Sequence, residues 1–330
     1  MRSVLFAYGA VGHAALEELL AIGAEIALVV THADAPGENI WFPSVAALAR
    51  DAGIPVRVPE NVNGPEVQAH LDALAPDLVL SVYCRSMLSR RVLESARYAA
   101  LNLHGSLLPL FRGRCPVNWV LVKGESETGV TLHHMDGKAD HGDIVAQRRV
   151  AIGRTETALG LTQQLAAAGR SLLRETYPRL VDRTALRIPQ DHARASTFGG
   201  RGPADGRVDW AAPAESIRNL VRAVTHPWPG AFTEFRGSTL PVWAAETHPA
   251  WTDSQPGELR LVEGRVLVAT GEGALELCAV AGRGEAPLRG AEWGVAAGVR
   301  PGERLGELSP AISTPGRSDV ATDVSSASGG

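Results

Sequence analysis

Short apolar runs alternate with segments of helical periodicity over the first third of the chain, and this alternation constrains the fold most. The predicted strands are residues 4–8, 25–31, 78–83 and 100–104. The predicted helices are one that ends at Gly23 and those over residues 44–52, 65–75 and 90–96. Strands and helices in this order form an open sheet with helices on both faces. The sequence therefore predicts an α/β fold with an open, mostly parallel, Rossmann-like sheet.

The second half of the chain has a different pattern. Leu161, Leu165 and Leu172 share one face of a predicted helix over residues 155–181. A glycine-, proline- and arginine-rich stretch follows, then a short helix from Pro213, then short alternating runs from Gly230 that predict a small antiparallel barrel. We expect a Rossmann-like domain over 1–182, a linker over 183–207, a β-barrel over 208–306 and a disordered tail over 307–330.

Charge and cysteine content exclude several classes of protein. The 32 lysines and arginines against 36 acidic residues give a net charge of −4, whereas proteins that bind nucleic acid usually carry a basic excess. Three widely spaced cysteines indicate neither a disulfide framework nor a zinc site. The chain shows no signal-peptide pattern and no apolar stretch of membrane-spanning length. We expect a cytoplasmic protein that does not insert into membranes.

A Gly9-x-x-Gly12 turn follows the first predicted strand and opens a helix. Such a turn can bind an anion at a helix N-terminus. The dinucleotide fingerprint needs a third glycine and an acidic residue about 20 residues on, and this segment has neither in place. A tight strand-to-helix turn is the better interpretation.

Asn102 and His104 lie two apart on the predicted strand 100–104, so both project to one side near its carboxyl end. Ligands of open parallel sheets bind at that edge. A histidine for proton transfer beside an amide donor is the pair that attack on a carbonyl carbon needs. A carboxylate beside the imidazole would raise its pKa, and Asp136, Asp140 and Asp143 are all candidates.

The residues of this region are also compatible in type with a metal site or a nucleophilic cysteine. A metal site would draw on His133, His134, Asp136, Asp140, His141 and Asp143. Neighbouring histidines on a strand point to opposite faces, and no established metal-ligand spacing is present, so we expect no metal. Cys115 as a nucleophile has no general base fixed beside it in the sequence.

Three motifs in order resemble those of the folate-dependent formyltransferases. They are Ser106-Leu-Leu-Pro-Leu-Phe-Arg-Gly113 with Asn102 and His104 just before it, Gly129-Val-Thr-Leu-His-His-Met-Asp136 with Asp140 and Gly142-Asp143, and Val224-Thr-His-Pro-Trp-Pro-Gly-Ala-Phe232. The resemblance spans residues 1–306 and implies a formyltransferase fold with an OB-like C-terminal barrel. It implies that Asn102, His104 and Asp140 are catalytic.

The same resemblance implies 10-formyltetrahydrofolate as the co-substrate. The residues it places along the folate are Ser86, Met87, Leu88, Arg114, Asp136, Gly137, Lys138, Ala139 and Asp140. The candidates to bind the phosphates of a sugar nucleotide are Arg112, Arg114 and Arg201, because the guanidinium of arginine forms bidentate hydrogen bonds with phosphate. The alternative for Arg112 is a structural role in the Ser106–Gly113 turn.

Within the family, the chain looks most like the formyltransferase domain of bifunctional polymyxin-resistance proteins, which act on UDP-4-amino-4-deoxy-L-arabinose in lipid A modification. The segments that carry this resemblance are 6–8, 31–38, 59–63 and 118–125. Those proteins continue into a decarboxylase domain that this chain lacks, so a separate decarboxylase is an expected partner, and homo-oligomerisation stays open.

Two alternative functions also stay open. A methionyl-tRNA formyltransferase shares the catalytic residues, but the net charge of −4 and the short acidic stretch 33–39 disfavour it. A non-catalytic folate-binding module would not need the histidine.

Overall fold

A seven-stranded sheet forms the centre of the N-terminal part in the computed structural model, which describes residues 1–249, 254–281 and 286–306. The strand order is β3-β2-β1-β4-β5-β7-β8. The strands are β1 (Ser3–Ala7), β2 (Ile26–Val30), β3 (Val56–Arg57), β4 (Leu78–Val82), β5 (Ala99–His104), β6 (Arg112–Gly113, outside this sheet), β7 (Glu127–His134) and β8 (Ile144–Ala151). The first five are parallel, whereas β7 and β8 run antiparallel. The predicted mostly parallel α/β sheet is confirmed.

Helices cover both faces of this sheet. They are α1 (Gly9–Ala21), α2 (Val45–Asp51), α3 (Pro65–Leu74), α4 (Arg90–Glu94), α5 (Pro116–Val122) and α6 (Ala158–Val181). Alternation along β1 divides the core, because Leu5 packs with α1 and α6 while Phe6 packs with α3 and α4. Leu161, Leu165 and Leu172 are buried as their spacing predicts.

The C-terminal part is an antiparallel sheet in the order β10-β11-β14-β13-β12, with β15 on β14. Its elements are α7 (Ala214–Val224), β10 (Ala231–Phe235), β11 (Ser238–His248), β12 (Leu259–Val262), β13 (Arg265–Ala269), β14 (Ala274–Val280), β15 (Leu288–Arg289) and α8 (Gly290–Ala296). The predicted antiparallel domain is confirmed. Among the described strands β10 and β12 do not pair with each other, so the sheet is OB-like without being a closed barrel.

Residues 183–207, which the sequence predicts to be a linker, pack across the edge of the large sheet. Here β9 (Thr197–Phe198) pairs in parallel with β6, and Gln190 and Phe198 contact the N-terminal part. This segment therefore brings side chains to the edge where Asn102 and His104 lie. The predicted disordered tail over 307–330 lies outside the described residues.

Within the described ranges, no helix is both long enough and apolar enough to span a bilayer.

Candidate active site

Strand β5 places Asn102 and His104 on one side of the sheet at its carboxyl end. Its neighbour β7 runs antiparallel, with Asn102 opposite His133 and His104 opposite Thr131. His104 is 6% exposed, and its Nε2 lies 2.8 Å from the carbonyl oxygen of Phe111. A carbonyl only accepts, so Nε2 carries a proton and Nδ1 is the nitrogen free to gain one.

Asp140 reaches this pair from the loop between β7 and β8. Its Oδ1 lies 3.5 Å from His104 Nδ1 and accepts a hydrogen bond of 3.3 Å from Asn102 Nδ2. Its Oδ2 accepts a 2.7 Å hydrogen bond from the backbone N–H of Gly113. The structure thus brings together Asn102, His104 and Asp140, and of the three candidate aspartates only Asp140 contacts His104 in the described part of the chain. Asp136 binds His141, and Asp143 binds Arg187.

The charges in this cluster perturb one another. Burial alone would raise the pKa of Asp140, but His104, His133 and the Gly113 amide lower it to about 2. Burial lowers the pKa of His104, and this effect outweighs the opposite effects of Asp140 and of the Phe111 carbonyl. Asp140 therefore acts on the pKa of His104 in the expected direction, but burial has the larger effect and the net shift is downward. A neutral imidazole facing an ionised carboxylate can accept a proton and be stabilised once it has done so.

His133 is a member of the cluster that the sequence offered only as a metal ligand. Its Nε2 lies 3.4 Å from Asp140 Oδ1 and 3.1 Å from Asn102 Nδ2. Its Nδ1 donates to the carbonyl of His134 at 2.8 Å, and its Nε2 accepts from the Asn102 amide. In the described residues no set of three His, Cys, Asp or Glu side chains is arranged to hold a metal ion.

The turn from Ser106 to Gly113 carries backbone groups back onto the cluster. Ser106 Oγ donates to the carbonyl of Leu110 at 2.6 Å, and Thr131 Oγ1 donates to that of Ser106 at 2.6 Å. These bonds aim the Phe111 carbonyl at His104 and the Gly113 amide at Asp140.

The three arginines predicted as phosphate ligands differ in their surroundings. Arg112 is 8% exposed, and its guanidinium donates to Gln190 and His192. This arrangement favours its structural alternative. Arg201 lies over the Trp119 ring, 4.6 Å from its centroid, and donates to the carbonyl of Asp205. Arg114 lines the cavity beside the cluster.

That cavity has a volume of about 460 Å³, and Asn102, His104 and Asp140 form part of its wall. Other wall residues are Ser86, Met87, Leu88, Arg114, Gly137, Lys138 and Ala139, all predicted folate contacts, and Cys115. Asp136, the remaining predicted folate contact, lines a second cavity of about 340 Å³ with His141 and His192.

Tyr83 is a cavity residue that the sequence did not single out. Its hydroxyl is buried and has no hydrogen-bond partner among the described residues, and burial raises its pKa. A Cβ on Gly105 would lie 2.1 Å from this oxygen, so any larger residue there would displace the ring. Tyr83 therefore lines the cavity with its hydroxyl buried beside Gly105.

Comparison with known families decides the identity of the fold. The formyl transferase family matches residues 4–177, more than half of the chain, and the formyl transferase C-terminal domain matches residues 202–296. The chain belongs to the formyl transferase family. The N-terminal match of this formyltransferase contains Asn102, His104 and Asp140, and the C-terminal match contains all the described strands of the antiparallel sheet.

Solved structures share the formyltransferase fold at low sequence identity. The N-formyltransferase from Helicobacter canadensis, in complex with folinic acid and dTDP-3-aminofucose, has a TM-score of 0.65 and 17% identity, over 84% of this chain and 98% of that one. WlaRD, a sugar 3N-formyltransferase solved with dTDP and 5-N-formyltetrahydrofolate, has a TM-score of 0.65 and 16% identity, over 87% and 99%. HypX from Aquifex aeolicus, with tetrahydrofolic acid, has a TM-score of 0.60 and 18% identity, over 89% and 47%.

Proposed function

We propose that this formyltransferase moves the formyl group of 10-formyltetrahydrofolate to the amine of a nucleotide-linked amino sugar. The observation that carries the proposal is the contact of Asn102, His104 and Asp140 in the wall of one cavity. An amide donor, a neutral imidazole and a carboxylate are the groups that acyl transfer to an amine requires. Fold relatives solved with a formylated folate and a dTDP compound support the two substrate classes.

His104 is the proton acceptor in this mechanism. The amine nitrogen attacks the formyl carbon, and His104 Nδ1 takes the proton that the nitrogen loses. Asp140 Oδ1, 3.5 Å from Nδ1, stabilises the imidazolium that results. His104 then returns the proton to the folate nitrogen as its bond to the formyl carbon breaks. The products are the N-formyl sugar and tetrahydrofolate, so atoms and charge balance.

Asn102 is the oxyanion donor in this mechanism. In the structure its Nδ2 donates to His133 Nε2 at 3.1 Å and to Asp140 Oδ1 at 3.3 Å. The formyl oxygen would accept a hydrogen bond from Asn102 Nδ2 in place of one of these partners as the oxygen gains negative charge. One such donor accelerates acyl transfer by roughly 10²–10³-fold.

The folate would occupy the cavity between Met87, Leu88 and the loop 137–140. Met87 is 57% exposed and Leu88 is buried there, so an apolar ring has side chains to pack against. Arg114 has no carboxylate partner among the described residues and is free to bind an anionic group of either substrate.

For the acceptor we propose UDP-4-amino-4-deoxy-L-arabinose, and with it a cytoplasmic role in lipid A modification and polymyxin resistance alongside a separate decarboxylase. The sequence resemblance supports this choice over a tRNA. Asp34 and Glu38 give a physical reason to prefer the sugar nucleotide. The Tyr8 hydroxyl lies within hydrogen-bond distance of both carboxylates, and Arg85 of the cavity wall forms an ion pair with Glu38. Two carboxylates next to this arginine disfavour the many backbone phosphates of a tRNA.

The test is a formyl-transfer assay with 10-formyltetrahydrofolate and three acceptors in parallel. They are UDP-4-amino-4-deoxy-L-arabinose, dTDP-3-aminofucose and initiator methionyl-tRNA, with products followed by mass spectrometry. Formylation of the UDP sugar alone is the expected result. Formylation of the dTDP sugar instead would keep the enzyme class and correct the acceptor. Formylation of the tRNA alone would overturn the proposal.

A further inference from the structure

The Gln190 side chain is buried, 6% exposed, and all four of its hydrogen-bonding positions are used. Its Nε2 donates to the carbonyl oxygens of Asp140 at 2.9 Å and Gly142 at 2.7 Å. Its Oε1 accepts from Arg112 Nε at 3.2 Å and Nη2 at 2.6 Å. A guanidinium only donates and carbonyls only accept, so the orientation of the amide is determined by its partners.

The residue that Gln190 holds has an unfavourable backbone. Asp140 has φ of 50°, in the left-handed region, which costs an ordinary L-residue roughly 1–2 kcal/mol. Aspartate tolerates this region better than most residues, but contacts must still select it. Of the contacts to Asp140, the one to its backbone carbonyl comes from Gln190.

Asp140 is also held at its carboxylate, and the residue that holds it is adjacent to Arg112, the other partner of Gln190. Gly113 N–H binds Asp140 Oδ2, and Arg112, one residue earlier, binds Gln190 Oε1. Asp140 is therefore held at its carboxylate and at its main chain from the same short strand, β6. With both points held, Oδ1 is directed toward His104 and His133.

We infer that Gln190 is a positioning residue that holds the Asp140 carboxylate toward His104. The inference rests on the proposed function, since it assigns Gln190 a part in making His104 a proton acceptor. Gln190 does not line the catalytic cavity, so it acts through Asp140 rather than on a substrate. It lies in the segment 183–207, where the sequence shows only linker composition.

Gln190→Met keeps the length of the side chain and removes all four hydrogen bonds. We expect kcat to fall by roughly 10–100-fold, as for loss of partners that orient a catalytic group, with little change in the KM for folate. The pKa of His104 should fall further, because the carboxylate that opposes the effect of burial moves away. In an Asp140→Asn background, Gln190→Met should lower kcat little further, since the group that Gln190 positions has already lost its charge.

Two further variants separate this role from a structural one. Gln190→Glu can still bind Arg112 but cannot donate to Asp140 or Gly142, so its kcat should fall as that of Gln190→Met does. Gln68→Met is the matched control, because Gln68 is also buried, 4% exposed, and binds Asp72 on α3 away from the cavity. We expect it to affect stability but not the pKa of His104.

The pKa of His104 is followed by NMR of ring-labelled histidine, assigned with His104→Gln, and needs no turnover. A lower His104 pKa in Gln190→Met than in the wild type supports the inference even if the wild type formylates none of the three acceptors, which would overturn the proposed function alone. An unchanged His104 pKa overturns the inference, and so does wild-type kcat in Gln190→Glu. The inference is also overturned if Gln190→Met lowers kcat in the Asp140→Asn background by as much as it does in the wild type.

Discussion

The two parts of the chain use the left-handed backbone region for different purposes. In the C-terminal sheet, Arg236 (φ 48°) and Glu263 (φ 49°) adopt it at the first position of two-residue turns joining β10 to β11 and β12 to β13. A glycine with positive φ follows each of them. Turns of this kind match the twist of antiparallel strands, so the local geometry itself accounts for the conformation.

Around the catalytic cluster the same region occurs without such turns. Tyr83 (55°), Phe111 (56°), Cys115 (53°) and Asp140 (50°) adopt it, and none lies in a two-residue hairpin. Three of them line the cavity, and the carbonyl of Phe111 accepts from His104. Tertiary contacts must hold these residues, at a cost of order 1–3 kcal/mol each. The comparison teaches that four left-handed residues outside the C-terminal sheet surround the site, whereas Ala75 and Arg183 follow the ends of α3 and α6 and those of the C-terminal sheet belong to turns.

The largest expected effect that tests this division is on turnover. His104→Ala should lower kcat by roughly 10²–10⁴-fold, because it removes the only proton acceptor that the mechanism uses. His248→Ala, on β11 of the C-terminal sheet, is the matched control and should keep wild-type kcat. Steady-state formyl transfer measures both, and isothermal titration with 5-formyltetrahydrofolate checks that folate binding survives. Wild-type turnover in His104→Ala would contradict the role given to His104.

Asp140→Asn should lower kcat/KM by roughly 10²-fold and move its acid limb to lower pH. The first effect follows because the imidazolium loses its counter-charge. The second follows because Asp140 opposes the effect of burial on the pKa of His104, so removing its charge lowers that pKa further. A pH–rate profile of both enzymes measures the shift. A limb that moves to higher pH would show that the carboxylate does not act on His104.

The same carboxylate should make the stability of the fold depend on pH in the acid range. Its pKa is depressed from 3.8 to about 2, so the folded state favours the ionised form. The stabilisation is present above about pH 4 and is lost as the pH falls toward 2, and it amounts to about 2 kcal/mol. Urea denaturation should therefore show wild type and Asp140→Asn converging as the pH falls through this window. Parallel curves would mean that Asp140 does not have a depressed pKa.

Much of this arrangement could be predicted from sequence. The alternation of apolar runs and helical segments predicted the sheet, and the two-residue spacing of Asn102 and His104 placed both on one side of β5. Composition could not choose among Asp136, Asp140 and Asp143, because the choice depends on the left-handed backbone at Asp140 and on the Gly113 amide. Both arise from contacts distant in the sequence.

Other site residues could not be predicted because their positions depend on pairings and contacts between segments distant in the sequence. His133 faces Asn102 because β7 pairs antiparallel with β5, a pairing that no local pattern encodes. Gln190 reaches Asp140 from a segment that pairs with the N-terminal part through Ile188 with Ile144 and through β9 with β6, although its composition is that of a linker. Tyr83 was expected to be the last residue of a strand, and only the structure shows its hydroxyl buried without a partner in the described residues.

The smallest expected effect concerns a hairpin turn remote from the site. Glu263→Asn should raise the stability of the fold by about 0.5 kcal/mol, because asparagine tolerates positive φ and suits a turn completed by Gly264. Glu263→Val should lower it by about 1 kcal/mol, because a β-branched side chain is strained there. The ion pair between Glu263 and Arg265 is lost in both variants, but Glu263 is 81% exposed and such pairs contribute little.

Neither Glu263 variant should change kcat, and this is the sharpest form of the comparison between the two parts. Urea denaturation of wild type and both variants gives the order of stability, and formyl-transfer assays on the same preparations give kcat. If Glu263→Val lowered kcat at temperatures where it stays folded, the turn would be coupled to the catalytic cluster. The unfavourable backbone of the two parts would then serve one purpose, and the separation argued from Tyr83, Phe111, Cys115 and Asp140 would fail.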